Sequence, residues 1–68
     1  MKNTLKVERA KQSITQAELA EKVGVSRQTI NSIEIGKYVP STLLSLKIAG
    51  VFKSRVDDIF FLEDKDWS

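Results

Sequence analysis

The segment 23–40, VGVSRQTINSIEIGKYVP, contains an unusual density of hydrogen-bonding side chains. At about 100° per residue, a helix through it places Ile30 and Ile33 on its buried side. The opposite side and its flank then carry four polar residues: Arg27, Gln28, Asn31 and Ser32. Such a face is either solvated or recognises a polar partner. The elements that position it must distinguish these two interpretations.

The predicted helix follows another helix after a very short connection. Thr15 opens the first of the two with the capping-box sequence TQAE, and Gly24 ends it. Ser26 is a good N-cap for the second, which Gly36 ends. Because a short turn with a glycine does not let two helices lie antiparallel, residues 16–35 predict a helix-turn-helix. The second helix of such a pair protrudes, with its outer face free to enter a major groove.

Three further helices complete the predicted architecture. The first spans about residues 3–11, and the short fifth spans about residues 56–60. A Pro-Ser pair introduces the fourth helix, whose buried side is predicted to contain four residues: Leu44, Ile48, Val51 and Phe52. The sequence therefore predicts an all-α fold in a single domain, residues 1–68.

Composition limits the class of protein. The chain has 68 residues, no cysteine and no histidine, so neither a disulfide framework nor a catalytic constellation is evident. We expect no enzyme activity and no cofactor. No apolar run approaches the roughly 20 residues of a membrane span, and the N-terminus lacks a signal-peptide core. A cytoplasmic protein without membrane contact is expected.

Charge is unevenly distributed along the chain. Residues 1–56 contain ten Lys or Arg and four Glu, whereas residues 57–68 contain one Lys and five acidic residues. A basic body with an acidic tail suits a polyanionic partner on one face. A mixed-charge surface is the alternative.

The stretch TQAELAEKVGVSRQTINSIEIGKYVPS adds a specific resemblance to these patterns. It is similar to the Xre/Cro-type helix-turn-helix transcriptional regulators related to the phage repressors, over about residues 5–60. The resemblance implies a compact five-helix lambda-repressor-like DNA-binding domain, with its helix-turn-helix in helices 2 and 3. The length also resembles small homodimeric members of the family that carry no effector domain.

The resemblance assigns roles to individual residues. Base reading falls to Arg27, Gln28 and Ser32, and the outward angle of Asn31 adds it to this group. Contacts to the DNA backbone are expected from four residues: Gln16, Ser26, Lys37 and Tyr38. Arg9 and Glu34 resemble a buried pair that ties the first helix to the third.

Several positions depart from the family pattern. Ile35 stands where asparagine is usual, so its outward side chain is expected to touch a thymine methyl or a partner instead. Lys53 occupies a position where a helix-ending glycine is usual, and Arg55 replaces the usual cap before the fifth helix. Gly50 lies inside the fourth helix, at a cost near 1 kcal/mol relative to alanine.

The acidic tail, residues 61–68, is more apolar than a solvated tail should be. Ile59 and Phe60 are expected to close the helical bundle. An exposed apolar strip usually marks an interface, and the remaining candidates for a dimer interface are Phe61, Leu62 and Trp67. We hypothesise that residues 61–66 are extended and pair with residues 1–4 as a short β-ribbon in a two-fold dimer.

These features together predict a sequence-specific regulator of transcription. We expect a repressor that binds double-stranded DNA as a homodimer, reads a palindromic operator and occludes a promoter. The alternative is an antitoxin-type interaction module, which regulates its own operon while residues 61–67 bind a protein partner. RNA binding is disfavoured, because a reading helix does not fit an A-form groove.

Overall fold

The computed structural model describes residues 1–68 and contains five helices, a two-stranded ribbon and a 3₁₀ helix. The helices are α1 (Leu5–Gln12), α2 (Gln16–Val23), α3 (Arg27–Glu34), α4 (Thr42–Val51) and α5 (Val56–Ile59). The ribbon consists of β1 (Lys2–Asn3) and β2 (Phe60–Phe61), and the 3₁₀ helix covers Asp64–Trp67. The predicted five-helix fold is confirmed. No helix in the structure is both long enough and apolar enough to span a membrane.

The predicted caps define where α2, α3 and α4 begin. Thr15 and Glu18 form the capping box, since each side chain accepts a hydrogen bond from the backbone N–H of the other, at 3.0 and 2.9 Å. The hydroxyl of Ser26 accepts from the N–H of Thr29 at 3.1 Å. Ser41 caps α4 in the same way. These local bonds satisfy helix N-termini that would otherwise leave donors unpaired.

The core draws at least one fully buried side chain from each of the five helices. These residues are Leu5, Leu19, Ile30, Ile33, Ile48 and Ile59. Leu44 and Ile48 of α4, and Phe52 directly after it, are buried as predicted. The expectation for Val51 was wrong: it is only half-buried, and Ala49 lies in the core instead. Residues 48, 49 and 52 share one helical stripe, and position 51 falls on its edge.

The ribbon joins the two ends of the chain. Lys2 pairs with Phe61 and Asn3 with Phe60, in antiparallel register. Phe60 points into the core while Phe61 is 42% exposed, as the alternation of a strand requires. Asn3 also donates its side-chain amide to the carbonyl of Ile33, at 2.9 Å. The ribbon is therefore tied to the last turn of α3.

The tail differs from its predicted extended conformation. Only Phe60 and Phe61 form a strand, so α5 ends one residue earlier than predicted, and residues 64–67 turn into a 3₁₀ helix. The physical reason is a local cap: the Asp66 carboxylate accepts from the Glu63 N–H at 2.7 Å. That bond, followed by the contact with the amino group of Met1, lowers the pKa of Asp66. The same amino group lies 2.9 Å from the carboxylate of Glu63.

Lys53 adopts the left-handed backbone conformation that its position suggested, with φ of 52°. This conformation costs a residue with a Cβ about 1–2 kcal/mol. We expect Lys53→Gly to raise the free energy of unfolding by about 0.5–1 kcal/mol, because the gain is partly offset by the greater backbone freedom of glycine in the unfolded chain. Urea denaturation would measure the change.

Lys53→Ala is the matched control, since it removes the side chain but keeps the Cβ. It should leave the free energy of unfolding nearly unchanged. If the alanine variant gained as much stability as the glycine variant, the exposed lysine side chain rather than the backbone conformation would be the source of the cost.

Candidate DNA-binding surface

The outer face of α3 carries the predicted base-reading residues. Ile30 and Ile33 hold the inner face against the core, with 0% and 1% exposure. Opposite them, Arg27, Gln28 and Asn31 are exposed, and Ser32 is half-buried. The apolar inner side therefore anchors α3 on the core, and its polar outer side remains accessible to a large partner.

The chain beyond α3 folds back over the end of the helix. The N–H groups of Lys37 and Tyr38 both donate to the Ser32 carbonyl, at 2.9 and 3.2 Å. Gly36 allows this reversal with a φ of 82°. Lys37 and Tyr38 consequently stand exposed beside the outer face of α3, and Ile35 is 58% exposed. The Tyr38 ring borders a shallow groove together with Ser26, Gln28 and Ser32.

Arg9 and Glu34 form a bidentate ion pair between α1 and α3. Arg9 Nε lies 2.6 Å from Glu34 Oε2, and Arg9 Nη2 lies 3.0 Å from Oε1. The two side chains are only 14% and 5% exposed. The carboxylate raises the pKa of Arg9. Arg9 also donates to the carbonyl of Ile14 at 3.1 Å, so one guanidinium holds three segments together.

Gln16 extends this pair to the outer face of α3. Its Nε2 donates to Glu34 Oε1 and to Asn31 Oδ1, both at 3.1 Å. Its Oε1 accepts from Arg27 Nη1 at 3.2 Å. Sequence reasoning assigned Gln16 to the DNA backbone and did not identify these three partners. The only indication in the sequence is that a glutamine amide can both donate and accept hydrogen bonds. The partners themselves lie 11 to 18 positions away, so the sequence does not identify them.

The remaining predicted site residues fall into two places. Ser26 stands at the start of α3, where its hydroxyl caps the helix and lies 3.0 Å from the Thr29 hydroxyl. The three residues predicted to form a dimer interface are exposed in or after the ribbon, at 42, 61 and 77%: Phe61, Leu62 and Trp67. These apolar residues belong to a different part of the chain from α3.

The fold and the outer face of α3 define a helix-turn-helix DNA-binding domain. The chain belongs to the helix-turn-helix family HTH_3, whose family model matches residues 5–59. The resemblance to Xre/Cro-type proteins is thereby confirmed.

Relatives cover nearly the whole chain. An uncharacterized HTH-type transcriptional regulator of Methanocaldococcus jannaschii is 54% identical over 66 residues, which is 97% of this chain and 100% of the relative. The HTH-type regulator YgzD of Bacillus subtilis is 48% identical over the same shares of the two chains. A regulator of the same type from Archaeoglobus fulgidus is also 48% identical, over 97% of this chain and 94% of the relative.

Removing one partner of the Arg9–Glu34 pair should strongly destabilise the domain, because the other charge stays buried without compensation. We expect Glu34→Ala to lower the free energy of unfolding by about 3–5 kcal/mol, measured by urea denaturation. An Arg9→Met, Glu34→Leu double variant should lower the free energy of unfolding by less, because no buried charge is left unpaired.

The exposed pair Lys11–Glu8 supplies the control, with the lysine side chain 65% exposed. Lys11→Ala should cost less than about 1 kcal/mol. Equal losses in Lys11→Ala and Glu34→Ala would contradict a structural role for the buried pair.

Proposed function

We propose that this protein is a transcriptional regulator that binds double-stranded DNA sequence-specifically and represses transcription from a palindromic operator. The observation that carries the proposal is the outer face of α3, whose polar side chains are exposed on a helix packed firmly from behind. The names of the relatives, HTH-type transcriptional regulators, support the regulatory role. Repression follows from occlusion of a promoter by the bound protein.

Base reading would use the side chains that point away from the core. Arg27 can bond guanine O6 and N7 with two N–H groups, and Gln28 can bond adenine N6 and N7 in the same bidentate manner. Each such contact discriminates against a wrong base by about 1–3 kcal/mol. Ser32 is half-buried, so its hydroxyl reaches a base edge only where the helix sits deep in the groove.

Backbone contacts would flank the reading face on both sides. Ser26 lies at the start of α3 and Lys37 and Tyr38 lie just beyond its end, so they border the groove that α3 occupies. Both side-chain N–H groups of Gln16 are bonded within the chain, so its contact to a phosphate would come from its backbone N–H at the N-terminus of α2, where the helix dipole favours an anion. Binding should weaken steeply with salt, because affinity depends on neutralising phosphates.

A homodimer would place two recognition helices about 34 Å apart, in successive major grooves. The exposed apolar side chains of Phe61, Leu62 and Trp67 support an interface beside the ribbon. A two-fold axis there would match the chain to an inverted repeat. The acids of the tail are suited to this arrangement, since Glu63 and Asp66 already contact the amino group of Met1 and need not face DNA.

An antitoxin-type interaction module is the second candidate. The observation that favours it is Trp67, which is 77% exposed and is the only tryptophan of the chain. In this alternative the same apolar residues bind a different protein, while α3 regulates the operon that encodes both. Co-purification of one stoichiometric partner, together with a monomeric isolated protein, would favour it over the homodimer.

Selection of bound duplexes from a random-sequence library tests DNA reading. At near-physiological salt we expect the native protein to enrich an inverted repeat. The Arg27→Ala, Gln28→Ala double variant should lose about 1–3 kcal/mol of discrimination between bases for each lost contact. Lys11→Ala, Gln12→Ala is the matched control, because it removes an exposed basic residue and an adjacent exposed glutamine from α1. Enrichment of no motif by the native protein would refute sequence-specific reading.

Sedimentation equilibrium tests the dimer. We expect Leu62→Ser, Trp67→Ser to convert dimer to monomer, because the variant removes large apolar surfaces that only a partner can bury. Leu43→Ser, Leu46→Ser is the control, since these leucines of α4 are similarly exposed, at 65 and 58%. A dimer that survives the first double variant but not the second would place the interface on α4 and contradict the proposal.

A further inference from the structure

The Gln16 amide contacts two groups of opposite hydrogen-bonding capacity. Its nitrogen faces the Glu34 carboxylate and its oxygen faces the Arg27 guanidinium. A carboxylate only accepts hydrogen bonds, and a guanidinium only donates them. A flipped amide would set oxygen against oxygen at Glu34 and donor against donor at Arg27. The orientation of the Gln16 amide is therefore determined from both sides.

The orientation of Gln16 determines that of Asn31. The second proton of Gln16 Nε2 points to the Asn31 side chain, which can accept only through Oδ1. Asn31 Nδ2 is thus left on the exposed face of α3, with no hydrogen bond to the rest of the chain. In contrast, neither the oxygen nor the nitrogen of the exposed Gln28 amide has a hydrogen-bond partner in the chain, so this amide can rotate.

We propose that Asn31 turns the Nδ2 donor of its amide toward DNA, and that the Arg9–Glu34 pair imposes this orientation through Gln16. The inference rests on the proposed DNA-binding function. An Nδ2 donor is complementary to an acceptor of DNA: guanine O6 or N7, thymine O4, or a phosphate oxygen. Bidentate readout of adenine needs both ends of one amide, whereas Asn31 Oδ1 is turned to Gln16.

Arg9 acts in this scheme without touching DNA. It holds the Glu34 carboxylate in place at the end of α3, and Glu34 Oε1 accepts a hydrogen bond from Gln16 Nε2. The second N–H of Gln16 Nε2 donates a hydrogen bond to Asn31 Oδ1. Arg9, Glu34 and Gln16 are positioning residues, and Asn31 is the specificity-determining one. Two amides of one helix, at positions 28 and 31, would consequently recognise different chemistry.

Duplex selection with native protein and Asn31→Ala tests the contact, with Gln28→Ala as the matched control. If Asn31 reads a base, the alanine variant should relax one guanine or thymine position and weaken operator binding about 5- to 150-fold. If Asn31 bonds a phosphate, the affinity of the alanine variant should fall equally for all DNA sequences. Loss of an adenine preference in Asn31→Ala, or unchanged affinity and motif, would overturn the inference.

Gln16→Met tests the relay, because methionine keeps the length of the side chain but releases Asn31. The readout is the orientation of the Asn31 amide, obtained by NMR from contacts between its Nδ2 protons and assigned neighbouring protons. We expect one orientation in the native protein and two in the variant. Two orientations in both proteins would overturn the inference, as would one orientation in both.

Amide-proton exchange in the free protein provides a readout independent of DNA. The side-chain amide protons of Gln16 should exchange with water more slowly than those of Gln28 and Asn31, which have free donors. Equal exchange at Gln16 and Gln28 would refute the fixed polarity.

The results also separate this inference from the function on which it rests. Absence of any enriched motif with native protein would refute the proposed function, whereas the amide orientation would still be measured. A clear motif that is insensitive to Asn31 would refute only the proposed Asn31 contact.

Discussion

The hydrogen bonds that join α1, α2 and α3 depend on one buried carboxylate. Glu34 is the last residue of α3, where the helix dipole disfavours negative charge, and it is almost fully shielded from water. Only a positive partner makes such a position tolerable, and Arg9 supplies it from α1. Because Gln16 donates to the same carboxylate, the ends of three helices meet at a single group. The relative placement of α1, α2 and α3 is therefore set by electrostatics as well as by the apolar core.

The apolar contacts and the polar contacts of α3 serve different purposes. Ile30 and Ile33 fix the depth and rotation of the helix, since both are fully enclosed. The hydrogen bonds of Gln16 hold the side chains in front of the helix and reduce the number of conformations they can adopt. A surface ordered before binding loses less entropy on binding, which favours affinity without any additional contact.

Features with a short-range physical origin could be predicted from the sequence. The capping box at Thr15, the glycine turn and the cap at Ser26 all involve neighbours within four positions, and together they identify the helix-turn-helix. The ribbon was also anticipated, from apolar residues with no place in the core. The 3₁₀ helix at residues 64–67 and the Gln16 network could not be derived. The first is a competition between two local conformations, and the second joins side chains that are distant in sequence.

The amide of Asn3 links the ribbon directly to the last turn of α3, through the Ile33 carbonyl. If two copies associate beside the ribbon, the separation of their α3 helices is determined through this hydrogen bond and the paired strands. Such a direct connection leaves little tolerance for altered spacing. One extra base pair between half-sites adds 3.4 Å and rotates one half-site by about 35°, because B-DNA has 10–10.5 base pairs per turn. Under the proposed function, the distance between two half-sites would then limit binding in addition to their base sequence.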